Sequence, residues 1–352
     1  MSDPVTFGLI GTGGIAQSYA QAFETTDRAK IVAVCDVRLE AATATAARFG
    51  IPAYAAVEDL LKHEPTVEAV IICTPPNTHE AITVQCLRAG VHVLCEKPFT
   101  LTPASARRMV NAAGAEKRLL TMASKFRCVD DVVKAKSIMT SGILGEVILF
   151  ENAFTGRVDM ENRWNSKLSV SGGGVLIDNG THSVDLMRYF LGPLAEVHSV
   201  EGKRTQNLDV EDTVRIFVRS AAGVMGSVDL SWSLNKELDW YVNIYGTQGT
   251  IQVGWKESRY RQAGGKDWVV FGTGYHKVNA FRNQIQNFAR AVRGEEQLLV
   301  TSEDAIASVD VVEAAYRSLR TAPWTGVRTP SDLTQTPPPS IVSLSPEGSH
   351  VR

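Results

Sequence analysis

The chain has 352 residues, 44% of them apolar, and a formal net charge of −2 from 36 Lys+Arg against 38 Asp+Glu. The length suits two ordinary domains, and the near-neutral balance leaves no basic footprint for nucleic acid. No apolar run reaches the length of a membrane span, and Met1-Ser2-Asp3-Pro4 lacks the regions of a secretory signal, so a cytoplasmic protein is expected.

In chain order, Val5–Ile10, Ile31–Cys35, Ala69–Cys73 and Val91–Cys95 are short apolar runs rich in β-branched residues. Between them, residues 15–24, 39–49 and 79–89 read as helices. Strands alternating with helices predict βαβ units and a doubly wound parallel sheet. Past residue 124 the pattern changes. A helix is expected over 130–141, ending at Gly142. Residues 146–154 and 197–253 then read as strands of an antiparallel sheet. Val214-Arg215-Ile216-Phe217-Val218-Arg219 alternates apolar and polar, as a sheet with one wet face does. Gly246-Thr247-Gln248-Gly249 reads as a hairpin turn. Helices are expected near 279–292 and 303–319. The domain reading is therefore 1–124 for nucleotide binding and 125–330 for substrate binding and oligomerisation. A poorly ordered tail is expected over 331–352, where Pro337-Pro338-Pro339 sits. The five cysteines (Cys35, Cys73, Cys86, Cys95, Cys128) have neither zinc nor disulfide-framework spacing. They read as small buried hydrophobes in a reducing compartment.

The motifs fall at the carboxyl ends of the parallel strands, where such sheets bind ligands. Gly11-Thr12-Gly13-Gly14-Ile15-Ala16 follows the first strand and opens a helix, the context of a dinucleotide-binding turn. Gly11 permits the turn, Gly13 lets backbone approach a pyrophosphate, and the helix N-terminus offers free N–H groups. Asp36 lies 25 residues after Gly11, placed to hold the adenosine ribose hydroxyls; it would repel a 2′-phosphate. Arg38 is placed to stack on adenine or meet a phosphate. The cofactor expected is NAD in preference to NADP. Thr74, Pro75 and Asn77 would lie along it, His79 starts the next helix, and Glu96 is placed to touch the nicotinamide ribose.

The chemistry comes from Glu96-Lys97-Pro98 and from Gly172-Gly173-Gly174-Val175-Leu176-Ile177-Asp178-Asn179-Gly180-Thr181-His182. Asp178 and His182 are four apart and share a face if helical; the glycines before them suit a close approach to nicotinamide. A carbinol that loses hydride must also lose its hydroxyl proton, and imidazole titrates in the useful range. Lys97 would donate to the same oxygen. Asp185, three residues past His182, is placed to orient it or to be structural. No third ligand at suitable spacing accompanies Asp178 and His182, so no metal is expected. Lys125, Phe126 and Arg127 follow the sixth strand and are placed to reach substrate. Arg163 and Trp164, with Arg157 and Asn165, form a loop suited to a sugar ring. Tyr241 and His276 are further candidates of no assigned rank.

Together the glycine turn, Thr74-Pro75-Pro76-Asn77-Thr78-His79, Glu96-Lys97-Pro98 and the Asp178/His182 pair resemble the glucose–fructose oxidoreductase / inositol dehydrogenase / MocA family over roughly residues 5–320. The resemblance implies a Rossmann domain followed by an α/β domain on a large, mostly antiparallel sheet. It implies pyridine-nucleotide redox chemistry on a sugar, nucleotide-sugar or cyclitol. It also implies a homodimer or homotetramer through the open sheet face, and a role for Asp178 in tuning the histidine or bonding a neighbouring hydroxyl. Two rival readings remain: a glycosidase that retains its NAD, and a nucleotide-binding sensor without catalysis.

Overall fold

The computed structural model describes residues 3–321. Its first part alternates β1 (Val5–Ile10), α1 (Gly14–Phe23), β2 (Ala29–Cys35), α2 (Leu39–Ala46), β3 (Ala53–Tyr54), α3 (Val57–His63), β4 (Ala69–Ile72), α4 (His79–Arg88), β5 (His92–Cys95), α5 (Pro103–Glu116) and β6 (Leu120–Met122). The six strands pair in the order β3-β2-β1-β4-β5-β6, all parallel. The strand order reverses between β1 and β4, and the crevice that opens beyond their carboxyl ends is where such a sheet takes a ligand. Buried on both faces, β4 is Ala69-Val70-Ile71-Ile72 without a polar residue.

The second part runs α6 (Asp130–Thr140), β7 (Val147–Thr155), a one-turn α7 (Leu168–Ser171), α8 (Val175–Leu191) and then β8 (Leu194–Glu201), β9 (Thr213–Ser220), β10 (Met225–Ser231), β11 (Trp240–Gly246), β12 (Gly249–Gly254), β13 (Ser258–Gln262) and β14 (Val269–Gly272). The eight strands order as β14-β13-β12-β11-β7-β10-β9-β8, antiparallel except for β7 beside β10. Helix α8 lays Leu176, Val184 and Met187 against Val214, Ile216, Val228 and Leu230 on one face of this sheet. The other face shows the polar half of the alternation, with Arg215, Phe217 and Arg219 opposite Asp229, Ser227 and Met225.

The last two helices among the described residues return to the first sheet. From α9 (Lys277–Val292), Phe281, Ile285 and Phe288 join Phe7, Leu9 and Phe23 in one core; from α10 (Ser302–Thr321), Ala305 and Val309 join Phe99, Met109 and Leu120.

Several elements were not foreseen. Helix α5 begins on Thr102, whose hydroxyl accepts from the Ser105 N–H, with Pro103 at its first position; this start signal was legible but overlooked. Strand β13 escaped because Ser258-Arg259-Tyr260-Arg261-Gln262 carries no apolar alternation, whereas β14 is a four-residue apolar run, Val269-Val270-Phe271-Gly272, that was legible but too short to stand out. The guanidiniums of Arg259 and Arg261 lie over the Trp268 ring at 4.7 and 5.0 Å and shelter this edge. The tail expected over 331–352 lies outside the described residues.

Candidate active site

The nucleotide turn forms first. Gly11 bonds its N–H to the Cys35 carbonyl at 2.7 Å and adopts φ +85°, and a β-carbon there would sit 2.8–2.9 Å from the Cys73 and Thr74 backbone. Only glycine fits. A β-carbon on Gly13 or Gly14 would meet nothing within 4 Å. Gly13 caps α1 without a side-chain partner, so the first N–H groups of that helix face open space. This cradle fits a pyrophosphate. The Asp36 carboxylate accepts from the Thr12 N–H and hydroxyl (both 2.8 Å) and from the Arg38 N–H (2.9 Å). Burial works against its charge, but these donors outweigh burial and hold its pKa below the ordinary value. It therefore stays an anion beside the turn, with lone pairs left for ribose hydroxyls. The Arg38 side chain is 71% exposed at the rim. Thr74 and Pro75 are half-buried at the end of β4, and Asn77 is exposed.

Lys97, after β5, reaches across to α8. Its Nζ lies 2.5 Å from Asp178 Oδ1 and 3.2 Å from the Asp178 carbonyl. Because α8 is helical through this segment, His182 stands one turn on, at the same cleft. The cleft is about 330 Å³ and is lined by Ile15 of the nucleotide turn, Lys97, Lys125 and His182, with Phe126, Phe154, Trp232 and Trp255 as walls. The His182 ring stands edge-on to Phe126 at 5.0 Å, and its Nδ1 is buried with no partner among the described residues. Burial, then the ammoniums of Lys97 and Lys125, push the imidazole well below its ordinary pKa. The group is neutral at physiological pH.

Glu96 does not sit open to a ribose. Its carboxylate is 6% exposed and accepts from the Tyr19 hydroxyl (2.8 Å) and the Lys97 N–H (3.0 Å), while Gln284 donates to the same tyrosine (2.8 Å). A polar chain thus ties α1, the Lys97 loop and α9 together. Burial raises the Glu96 pKa, partly offset by Lys97.

Three further expectations need correction. Arg127 is 4% exposed and does not face the cleft: its Nε donates to Asp185 (2.8 Å), and its Nη1 donates to Asp304 (3.0 Å) and to the Leu299 carbonyl (3.2 Å). Of the two roles open to Asp185, the structural one is borne out: it is bound to Arg127 and Ser124, not to His182. His79 is fully buried, with Nδ1 3.0 Å from the Pro98 carbonyl and Nε2 2.9 Å from that of Thr74. It braces two strand-end loops and leaves no nitrogen for a cofactor. The glycines before α8 serve helix docking: a β-carbon on Gly174 would fall 1.9 Å from the Glu211 carbonyl oxygen, and the Glu211 carboxylate accepts from the N–H groups of Gly174 and Leu176.

Arg163 and Trp164 are not among the cleft-lining residues; Thr155, Gly156 and Val158 of that segment are. Trp164 opens a 3-10 turn and is 41% exposed. His276 caps α9 and is exposed, while Tyr241 lies beneath the wall, its ring 4.7 Å from Trp255. The sequence reading missed Phe154, Trp232, Trp255, Ser231 and Asn179. For the first four the only signal was position, at or just past the ends of β7, β10 and β12; Asn179 lies in α8 between Asp178 and His182, within the motif that supplies both.

Residues 5–124 match the family described as oxidoreductase family, NAD-binding Rossmann fold (Gfo/Idh/MocA), and residues 132–252 match the Gfo/Idh/MocA C-terminal domain. The D-glucoside 3-dehydrogenase of Escherichia coli K12 is 33% identical over 61% of this chain and 62% of its own. The inositol 2-dehydrogenase of Rubrobacter xylanophilus is 28% identical over 91% and 92%. Among solved structures, GenD2 from gentamicin A biosynthesis, in complex with NAD, is similar at 27% identity over 92% of this chain and 96% of that one, with a TM-score of 0.79.

Proposed function

The chain belongs to the Gfo/Idh/MocA family of NAD-binding oxidoreductases, and from that premise we propose that it interconverts a secondary alcohol and a ketone on a sugar, nucleotide-sugar or cyclitol. The observation that carries this reading is the meeting of Lys97 and His182 at one aromatic-walled cleft that also holds Ile15 of the nucleotide turn. NAD, when bound, supplies the hydride acceptor. Gly13, Gly14 and Asp36 would hold it, and the ionised, hydrogen-bonded Asp36 favours NAD over NADP.

Lys97 donates to the carbinol oxygen and stabilises negative charge as its proton leaves. Asp178 fixes the ammonium in place. His182 accepts the proton at its imidazole. Being neutral at physiological pH, it stands ready as a base, which suits the alcohol-oxidising direction. Phe126, Phe154 and Trp255 give a sugar or cyclitol ring apolar faces and shed water from the site. The test is NAD reduction across a panel of sugars and cyclitols. Turnover of at least one ring polyol is expected, falling by orders of magnitude in Lys97→Ala while NADH still binds. Undiminished turnover in that variant refutes the assignment.

Quaternary structure and compartment follow as parts of the proposal. The open face of the eight-stranded sheet carries exposed Phe217 and Met225 between the charges of Arg215, Asp229 and Arg219, which supports pairing of copies through it. Light scattering of Phe217→Arg would read this, a lighter species than the wild type being expected. No helix among the described residues is long and apolar enough to cross a membrane, and all five cysteines are free thiols, in keeping with a cytoplasmic setting.

A further inference from the structure

Lys125 is a second ammonium in the cleft, and the proposed reaction gives it no task. It stands in a 3-10 turn (Lys125–Cys128) directly after β6. Its Nζ lies over the rings of Phe126, Phe281 and Tyr275 at 5.3, 5.5 and 5.9 Å. Among the described residues it makes neither a hydrogen bond nor an ion pair. The other charges nearby are engaged: Asp178 with Lys97, and Glu96 with Tyr19 and a backbone N–H.

The cleft lining comprises two ammoniums and an imidazole, with no acidic residue. Lys277, at the first position of α9, adds a third positive charge to the field at Lys125. This concentration occurs in a chain whose formal net charge is −2. An enclosed ammonium without an acceptor is costly, and such charges are met by a partner of opposite sign. Among the described residues, Glu96 and Asp178 act on it only through space and each is already engaged, which leaves the contact position beside Nζ to a ligand.

We propose that Lys125 binds an anionic group, carboxylate or phosphate, carried by the polyol itself, so that the substrates of this enzyme are sugar or cyclitol acids or phosphates rather than neutral polyols. This rests on the reading of the cleft as the site of polyol oxidation. The aromatic faces around Nζ hold the ammonium in place without neutralising it, and the anion completes the pair only when the ring is seated against Phe126 and Trp255. Two strong, shielded contacts on one substrate, at Lys97 through the reacting hydroxyl and at Lys125 through the anion, would fix which ring carbon faces the cofactor.

The experiment compares glucose, glucuronate and glucose 6-phosphate, with inositol and an inositol monophosphate as a second set, using the NAD-loaded protein and its Lys125→Met and Lys125→Arg variants. Wild-type kcat/KM is expected to favour an anionic member over its neutral counterpart by about 100-fold, the scale for an enclosed charge pair. The carboxylate and phosphate arms tell which anion is read. Lys125→Met should lose most of that preference through KM, with the loss for anionic substrates far exceeding any change for neutral ones, and bind NADH as the wild type does; Lys125→Arg should recover a large part. Equal or better turnover of neutral polyols by the wild type overturns the proposal and leaves the oxidoreductase reading intact. So does an equal slowing of both classes in Lys125→Met, or a matching loss of NADH affinity, which would assign the ammonium to the cofactor. No turnover of any polyol in either set overturns both readings.

Discussion

The two ends of the cleft are built in opposite ways. At the nucleotide end, the glycine turn and the loops after β4 and β5 each come from one short stretch of sequence, and the parallel sheet places them side by side. At the substrate end, the wall draws Phe126 from a turn, Phe154 from β7, Trp232 from just past β10 and Trp255 from just past β12. The first end is backbone geometry, for which glycine is indispensable. The second is side-chain surface, for which many residues of similar size would serve. Cofactor chemistry is thus held constant by the first, and ring selectivity is open to change at the second.

The sharpest way to break this contrast is at the two groups that span it. His182→Ala and Lys97→Ala should each lower kcat by about 10³-fold, within the range for general acid–base groups, with NADH affinity measured by fluorescence titration little changed. A loss of NADH binding of the same size would mean that the two ends are not separable. Next in size is Arg127→Met, which strips the buried Asp185 of its cation and leaves Asp304 with Arg188 alone. Breaking such a pair costs about 3–5 kcal/mol, so the melting temperature should drop steeply. An unaltered melting temperature with a raised KM would restore Arg127 to the substrate. Trp255→Ala should raise KM for a ring polyol about tenfold, on the order of 1–2 kcal/mol of lost aromatic contact, and leave KM for NAD alone.

The smallest effect is in the pH profile. Lys125 is lowered to about 8 by burial and Lys97, against the opposing pull of Glu96, with Lys277 lowering it further and Asp178 raising it. It keeps its proton below that pH and loses it above, so kcat/KM for an anionic substrate should fall as pH rises through about 8. His182 faces Lys97 and Lys125 and is shifted down, so its base form persists below the ordinary value of 6.5. The acid limb should therefore lie under pH 6.5. Lys125→Met should erase the alkaline limb and, by removing one of the two ammoniums that lower His182, move the acid limb upward.

The same contrast explains what was legible in the sequence. Parallel strands buried on both faces announce themselves as unbroken apolar runs, and Gly11, Asp36, Lys97 and the Asp178/His182 spacing lie in recognisable local contexts. The aromatic wall has no such context, because strand pairing alone brings residues a hundred positions apart together. Arg127 was misjudged for a related reason: position at a strand end predicts the cleft, but its carboxylate partners Asp185 and Asp304 come from α8 and α10, far along the chain. His79 illustrates the same limit. A histidine that opens a helix beside a cofactor loop looks available, and only the fold reveals two carbonyls closing on its nitrogens.

One feature of the packing bears on how such a protein changes over time. Helices α9 and α10 are encoded after the whole second sheet, yet Phe281, Phe288 and Val309 complete the interior of the sheet encoded first. A fragment ending at residue 124 would carry a greasy flank where those side chains belong, so recombination cannot lift out the nucleotide half as a free-standing cassette. Diversification is steered toward point changes along the aromatic wall, and a lineage can acquire a new sugar while its hydride chemistry is inherited whole.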